Sequence, residues 1–214
     1  MEKTFSSSAI LKESFEIIKP RFWKVVGQFA FILVAFCILS FFTHQNFFLG
    51  LLLSTLLAFG STVFSFAYVE QGTFSLKTMF DTLTLKKFLT LLVAIILAGL
   101  ATIAGVFLLV IPGIIMVVQL HFYKYIIVKK DIKALDALKE SARLTKGYRF
   151  KIFEFIVVTL LINILGAICV GVGLFFTVPL TLIGFTLIYK KLLEEGSTKE
   201  EGKGEVVEAK VLEA

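Results

Sequence analysis

The sequence contains few of the residue types from which soluble catalytic and metal sites are built. It has two cysteines and two histidines in 214 residues, and only 18% of its residues are charged. No C-x-x-C pair or Cys/His cluster is present, so the sequence indicates neither a metal site nor a redox pair. It also lacks a phosphate-binding glycine loop and a G-x-S-x-G elbow. We therefore expect no enzymatic activity, no catalytic residues, no cofactor and no metal.

Apolar residues are abundant instead. The sequence is 57% hydrophobic, its mean hydropathy is +0.91, and 24 residues are phenylalanine. About 20 apolar residues in a helix cross a hydrocarbon core about 30 Å thick. Runs of about this length lie near residues 25–42, 47–68, 88–111, 112–128, 152–170 and 172–189. They predict an all-α integral membrane protein with six transmembrane helices. No small-residue cleavage site follows the first run, so we expect it to be retained as a span.

Short turns join these runs in pairs. Pro112 and Gly113 separate the third run from the fourth, and residues 171–173 separate the fifth from the sixth. Proline is disfavoured inside a helix and glycine permits a tight reversal. We therefore predict that the six spans form three helical hairpins, with Pro112 and Gly113 as one hairpin turn.

Basic residues are distributed on one side of this arrangement. All 22 Lys and Arg residues lie before residue 25, within 71–87, within 124–151, or from residue 190 onward. Short loops that are rich in Lys and Arg stay in the cytoplasm. The pattern predicts a multi-pass protein of the cytoplasmic (inner) membrane with both termini on the cytoplasmic side.

The cytoplasmic connections carry helical periodicity of their own, near residues 8–19, 73–85 and 131–146. In the first segment Leu11 and Phe15 share a face, and in the third Leu135 and Leu138 do so. Such spacings are typical of amphipathic helices. Because each segment adjoins a span, we expect these helices to lie in the membrane interface with their aliphatic faces toward lipid.

A short repeat accompanies these helices. The tetrad L-K-E-S at residues 11–14 recurs at 138–141, an offset of 127 residues, and a hydrophobic span follows each copy. The register continues, because Lys19 matches Lys146 and Lys24 matches Lys151. A parallel duplication explains the continued register, and a chance match of four residues is the alternative.

The composition changes after residue 193. Residues 194–214 contain seven Glu and three Lys, which is a net charge of −4. Because the whole chain carries +6, residues 1–193 carry a net charge of +10. A polar segment with several glycines cannot bury enough apolar surface to fold alone. We predict a membrane domain over residues 1–193 and a disordered cytoplasmic tail over 194–214.

Two groups of polar residues are candidates for function. Basic residues at the inner ends of the spans are candidate contacts for lipid headgroups, together with one histidine: Lys124, His121, Lys139, Arg143, Lys146, Arg149 and Lys151. Snorkelling alone also explains Lys124. The candidate intramembrane polar positions are Gln28, Gln119, Glu154 and Asn163. Their alternative roles are structural, an interhelical hydrogen bond for Asn163 and an ion pair at the interface for Glu154.

One region resembles a known family. Residues 109–114 read LVIPGI, 125–128 read YIIV, 137–141 read ALKES and 143–147 read RLTKG, and Pro179 precedes LIYKKL at 187–192. This order resembles the polytopic membrane domain attached to some glycerophosphoryl diester phosphodiesterases and its stand-alone bacterial and archaeal relatives. The resemblance implies a six-span protein of the cytoplasmic membrane. It does not imply phosphodiesterase activity, because the sequence has no His-Arg-Gly motif.

Two functions are compatible with these observations. The first is a non-enzymatic module that binds membrane lipids, anionic ones in particular, or another membrane protein, without a nucleic-acid partner. The alternative is a small transporter or channel that uses the intramembrane polar positions. An intramembrane enzyme acting on lipid has little support beyond His121.

Overall fold

The computed structural model describes residues 5–43, 46–108, 110–168 and 173–212. The chain is 88% helical, and the described residues contain no strand. The helices are α1 (Ser7–Ile18), α2 (Phe22–Thr43), α3 (Phe47–Glu70), α4 (Leu76–Thr82), α5 (Leu85–Leu108), α6 (Val110–Leu120), α7 (Tyr123–Lys129), α8 (Ala134–Leu144), α9 (Arg149–Ile168) and α10 (Leu174–Leu212), with a 3-10 turn at Lys19–Arg21. The prediction of an all-α protein is confirmed.

Five segments among the described residues are long and apolar enough to cross a membrane. They are Phe48–Glu70, Leu85–Phe107, Ile111–Lys129, Arg149–Ile168 and Leu174–Gly196. They correspond to five of the six predicted spans and support a membrane-embedded protein. The remaining predicted span, near residues 25–42, coincides with the 22-residue helix α2. Several side chains of α2 lie outside the part of the chain that the structure describes.

Helices α5 and α6 pack against each other at a pair of glycines. A Cβ atom added to Gly105 would lie 3.1 Å from the Cα atom of Gly113. Helix α5 ends at Leu108 and α6 begins at Val110. Pro112 and Gly113 therefore lie in the first turn of α6, whereas the sequence predicts them as the turn itself. Proline is tolerated there because the first four N–H groups of a helix have no intrahelical partner.

Two other helix pairs make close contacts. A Cβ atom added to Gly166 of α9 would lie 3.1 Å from the carbonyl carbon of Gly173, just before α10. Between α2 and α3, the rings of Phe29 and Phe64 lie 5.9 Å apart. Small residues and aromatic rings thus occupy the contacts between neighbouring long helices, as expected where lipid supplies no hydrophobic driving force for association.

The short helices fold back along long ones. Helix α4 runs antiparallel to α3, because Phe74 contacts Phe64 (5.3 Å between ring centroids) while Met79 reaches Gly60, 3.3 Å from a Cβ placed there. Helix α8 packs in the same way on α6 and α7, and α1 packs on α10. Helices α4 and α8 therefore each contact the second long segment of the pair that precedes them in the chain. Helix α1, which precedes the first pair, contacts the last long helix, α10.

Helices α1 and α8 each bury one face against the rest of the bundle. Helix α1 buries Ser7, Ile10, Ser14 and Ile18, and α8 buries Ala134, Ala137, Leu138, Ser141 and Leu144. Phe15 and Leu135, which the periodicity places on the apolar faces, are exposed. The buried faces combine aliphatic side chains with small residues such as Ser14 and Ser141, which allow close helix contacts.

Helix α10 continues to Leu212, beyond the predicted boundary at residue 193. The backbone is helical over most of the segment for which the composition predicts disorder. The Tyr148 hydroxyl donates a hydrogen bond to Glu195, and Gly196 lies beside Leu144. The segment just after the boundary is therefore packed against the end of α8.

Candidate functional site

Three aromatic rings fill the place where α3, α7 and α10 meet. The ring centroids of Tyr125 and Tyr189 lie 5.7 Å apart, and Phe66 lies 5.8 Å from each of them. All three side chains are buried. Aromatic pairs at such distances contribute about 0.5–1.5 kcal/mol beyond the area that they bury. We call these three residues the aromatic triad. Their rings fill the space between α3, α7 and α10.

Glu70 joins the same three helices one turn further along α3. Its carboxylate lies 2.6 Å from the Lys129 ammonium and 3.7 Å from that of Lys190. Lys129 also lies over the Phe66 ring, 4.6 Å from its centroid. Partly exposed ion pairs contribute little net stability. Their importance here is positional, since they hold the C-terminal ends of α3 and α7 beside Lys190 of α10.

The fourth predicted span is broken at His121 and Phe122, between α6 and α7. Ser141 of α8 bridges the break: its hydroxyl donates to the main-chain oxygen of Gln119 (2.7 Å) and accepts from the main-chain N–H of Phe122 (3.2 Å). Ser141 is fully buried. The hydroxyl thus replaces helical hydrogen bonds that the break removes, which avoids the cost of unpaired backbone groups. The side chain of Gln119 itself is half-buried.

The two copies of the L-K-E-S tetrad occupy similar environments. Ser14, like Ser141, is fully buried, and its hydroxyl lies 3.3 Å from a Cβ atom placed on Gly184 of α10. The preceding glutamates also correspond. Glu13 pairs with Lys191 at 2.6 Å, and Glu140 pairs with Lys130 at 3.6 Å. In both copies the serine is buried and the glutamate pairs with a lysine.

The predicted headgroup contacts fall into two groups. Lys139, Lys146 and Arg149 are exposed, Arg143 is exposed but bonded to Glu140, and Lys151 is half-buried. The hydrogen bond from Arg143 holds the pKa of the Glu140 carboxyl below its ordinary value of 4.5. These five residues lie in α8, in the turn after it and at the start of α9, and we call them the basic surface.

Lys124 and His121 lie apart from that surface. The Lys124 ammonium is 5.4 Å from the centroid of the Tyr125 ring. The His121 ring packs on Phe185 at 4.2 Å, and its Nε2 atom is buried without a hydrogen-bond partner among the described residues. Both side chains are half-buried within the aromatic packing.

The predicted intramembrane polar positions are separated from one another. Gln28 accepts a hydrogen bond from the Tyr68 hydroxyl (2.6 Å) and donates to the main-chain oxygen of Phe74 (3.1 Å). Gln28 therefore holds the connection between α3 and α4. Glu154 accepts a hydrogen bond from the Ser7 hydroxyl at 2.9 Å, which ties α9 to α1.

Asn163 has no such role in the described residues. Its Oδ1 atom is buried and without a hydrogen-bond partner there, and the same holds for Oγ1 of Thr177. Thr177 faces Gly166, where a Cβ atom would lie 2.7 Å from its Oγ1. The unpaired oxygen of Thr177 thus lies at the contact between α9 and α10.

Sequence reasoning misses several residues of this arrangement. Trp23 and Phe150 are 82% and 80% exposed, and each adjoins a lysine at the start of a span. Aromatic rings beside lysines are typical of the membrane–water boundary. The sequence signal for these two residues is their offset of 127 positions, which equals the offset of the L-K-E-S repeat. The position of Glu70 opposite Lys129 has no such signal, because it depends on which helices become neighbours.

Fold and site together define a helical membrane-embedded protein with its basic residues at the helix ends and an aromatic centre. The chain belongs to the family described as a domain of unknown function (DUF7847), whose model matches residues 44–197. The match covers α3 to α9 and the first part of α10, and leaves out α1 and α2. No curated protein and no solved structure matches the chain.

Proposed function

We propose that the chain is a non-enzymatic module of the cytoplasmic membrane that binds anionic lipid at its basic surface. The observation that carries this proposal is the cluster of exposed cations at α8 and the start of α9, beside the exposed ring of Phe150. Lys139, Lys146 and Arg149 have no ion-pair partner among the described residues. Each basic residue near an anionic membrane surface contributes about 1 kcal/mol of attraction.

The proposed topology has six spans in three hairpins. Helix α2 is the sixth span, which places both termini on the side that carries the basic residues. With five spans the termini would lie on opposite sides, and one group of lysines would face away from the cytoplasm, against the positive-inside rule. The close helix pairs at Gly105–Gly113 and Gly166–Gly173 support the hairpin arrangement.

We also propose a relationship to the membrane domain of glycerophosphoryl diester phosphodiesterases. Its support is the order of the motifs between residues 105 and 153. The structure adds a role for one of them, because the serine of ALKES bridges the break in the preceding span. A relationship of this kind concerns the membrane domain, and no catalytic residue follows from it.

A transporter or channel is the second candidate. The observation that favours it is the pair of buried, unpaired oxygens on Asn163 and Thr177, since polar groups at depth often mark a solute path. The aromatic triad argues against a path through the centre of α3, α7 and α10. Loss of a solute flux from proteoliposomes on Asn163→Leu substitution, with folding retained, would favour this candidate over the lipid module.

The lipid module is tested with the full chain in nanodiscs and a titration of phosphatidylglycerol vesicles. Replacement of Lys139, Lys146 and Arg149 by glutamine removes three charges of the basic surface, and we expect vesicle affinity to fall at least tenfold at low salt. A matched variant replaces Lys12, Lys77 and Lys133, three exposed lysines outside this set, and is expected to lose less. Equal affinity of the first variant and the unmodified chain overturns the proposal.

A further inference from the structure

We propose that a groove between α3 and α5 holds one acyl chain of an anionic phospholipid. The groove has a volume of about 510 Å³ and is lined by four leucines of α3 between residues 49 and 56, by Leu83 after α4, and by Leu85 and Phe88 of α5. This inference deepens the proposed lipid-binding function and rests on it, but it concerns a different part of the surface from the basic residues of α8 and α9.

The groove exists because α4 is shorter than the other two short helices. Helices α1 and α8 have 12 and 11 residues, whereas α4 has 7. At 1.5 Å per residue the difference is about 6–7 Å. Each short helix folds along the second long segment of the preceding pair. Helix α4 ends at Thr82, so the face of α3 that a longer helix would cover remains open, and Leu83 marks the start of the groove.

The lining determines what the groove can hold. All seven lining residues are leucine or phenylalanine, so a polar occupant would lose its hydrogen bonds to water without replacement, at a cost of several kcal/mol. The volume falls within the range of about 300–1,000 Å³ of small-molecule sites. Both walls belong to helices apolar enough to span a membrane. In a bilayer the molecules that adjoin such a wall are lipids, and an acyl chain matches the lining.

Basic residues beside the groove favour an anionic headgroup. Lys86 and Lys87 lie in sequence between Leu85 and Phe88. The Lys86 side chain is 67% exposed and forms an exposed ion pair with Asp131 at 2.8 Å. Such a pair is weak in water-accessible surroundings, so Lys86 can exchange its partner for a lipid phosphate. Lys87 instead donates to the main-chain oxygen of Val128 at 3.0 Å and fixes the start of α5.

The test uses tryptophan fluorescence in nanodiscs that contain phosphatidylcholine and increasing fractions of phosphatidylglycerol with brominated acyl chains. The single native tryptophan is removed by Trp23→Phe, and a reporter is introduced by Phe88→Trp in the groove. The matched control reporter is Leu100→Trp, at an exposed position of the same helix. A second groove reporter, Leu56→Trp, serves if Phe88→Trp does not fold.

We expect bromine quenching at the groove reporter to show about a fivefold preference for phosphatidylglycerol over phosphatidylcholine, as one added lysine–headgroup contact would give. The control reporter should show no preference, and Lys86→Gln should remove the preference at the groove while quenching persists. Equal preference at both reporters, or a groove reporter that no bromine quenches because a second copy of the chain covers it, overturns the proposal. Glutamine at Lys139, Lys146 and Arg149 should leave groove quenching unchanged, which separates this site from the basic surface.

Discussion

The Ser141 hydroxyl donates a 2.7 Å hydrogen bond to the main-chain oxygen of Gln119, across the break between α6 and α7. It also accepts from the N–H of Phe122. A residue of a short helix outside the spans thus completes the backbone of a predicted span. Because Ser141 and its repeat equivalent Ser14 are both buried, the two short helices are structural parts of the bundle.

Removal of the Ser141 hydroxyl should destabilise the protein. In Ser141→Ala, two buried backbone groups lose their partner, and we expect the free energy of unfolding to fall by about 1–3 kcal/mol. Ser14→Ala is the matched control, because Ser14 bonds only to the carbonyl of Ile10 in its own helix, which keeps its helical partner. SDS-induced unfolding in mild detergent measures both. Equal stability of the two variants would contradict the role assigned to Ser141.

A side chain at Gly72 should destabilise the protein. Its φ angle is +67°, and a Cβ atom there would collide with the guanidinium of Arg21, which hydrogen-bonds the Gly72 carbonyl. Gly147 has a φ of +93° but no atom within 4 Å of its Cβ position. We expect Gly147→Ala to cost about 1–2 kcal/mol from backbone strain alone, and Gly72→Ala to cost more. Thermal unfolding by circular dichroism compares them, and the reverse order would count against the Arg21 contact.

Gly113 marks the closest contact of α5 with α6. A Cβ atom there would lie 3.0 Å from the backbone N and Cα of Val106, whereas Gly99 of α5 has nothing within 4 Å. Gly113→Ala should therefore destabilise the protein by about 1–3 kcal/mol through overpacking. Gly99→Ala should stabilise α5 by up to about 1 kcal/mol, because alanine has the higher helix propensity. If both substitutions stabilise, the two helices are not in contact at Gly113.

Stability should decline at acid pH through Glu140. Its pKa lies below the ordinary value because Arg143 hydrogen-bonds the carboxylate, with Lys130 also nearby. A carboxyl with a lowered folded-state pKa contributes stability above its unfolded pKa, and this contribution is lost as the pH falls through the folded-state pKa. Glu140→Gln should remove this part of the acid decline, by less than about 1 kcal/mol because its partner Arg143 is 59% exposed. Identical pH profiles of the free energy of unfolding would refute this contribution.

Local sequence patterns predict where the long helices lie, but they do not predict which helices contact each other. Five predicted spans coincide with helices of sufficient length and apolarity, because the length needed to cross a bilayer is a property of each segment alone. The sequence predicts that the face of Phe15 and Leu135 points toward lipid, and both side chains are exposed, but it does not predict which residues α1 and α8 bury against the bundle. Phe15 and Leu135 are apolar by sequence, but hydrocarbon accepts them as readily as a protein contact does, so periodicity cannot distinguish the two environments.

The candidate site likewise combines residues that are close in sequence with residues that only the fold makes neighbours. Basic residues near 139–151 were predicted together because they are close in sequence, and the structure keeps them close. The aromatic triad and the pairing of Glu70 with Lys129 join residues that lie 59 to 123 positions apart in the sequence, and they depend on which helices become neighbours. The sequence makes His121 a candidate headgroup contact because it lies near the end of a span, and the structure packs its ring on Phe185.

The central claim is that the protein binds anionic lipid, and native mass spectrometry tests it most directly. The full chain is purified in mild detergent from its own membranes, and bound lipids and proteins are identified. The account predicts that an anionic phospholipid stays bound in defined stoichiometry, and that substitution of Lys139, Lys146 and Arg149 by glutamine reduces the bound fraction. A protein that retains no lipid, or retains zwitterionic and anionic phospholipids in proportion to their abundance, would contradict the account.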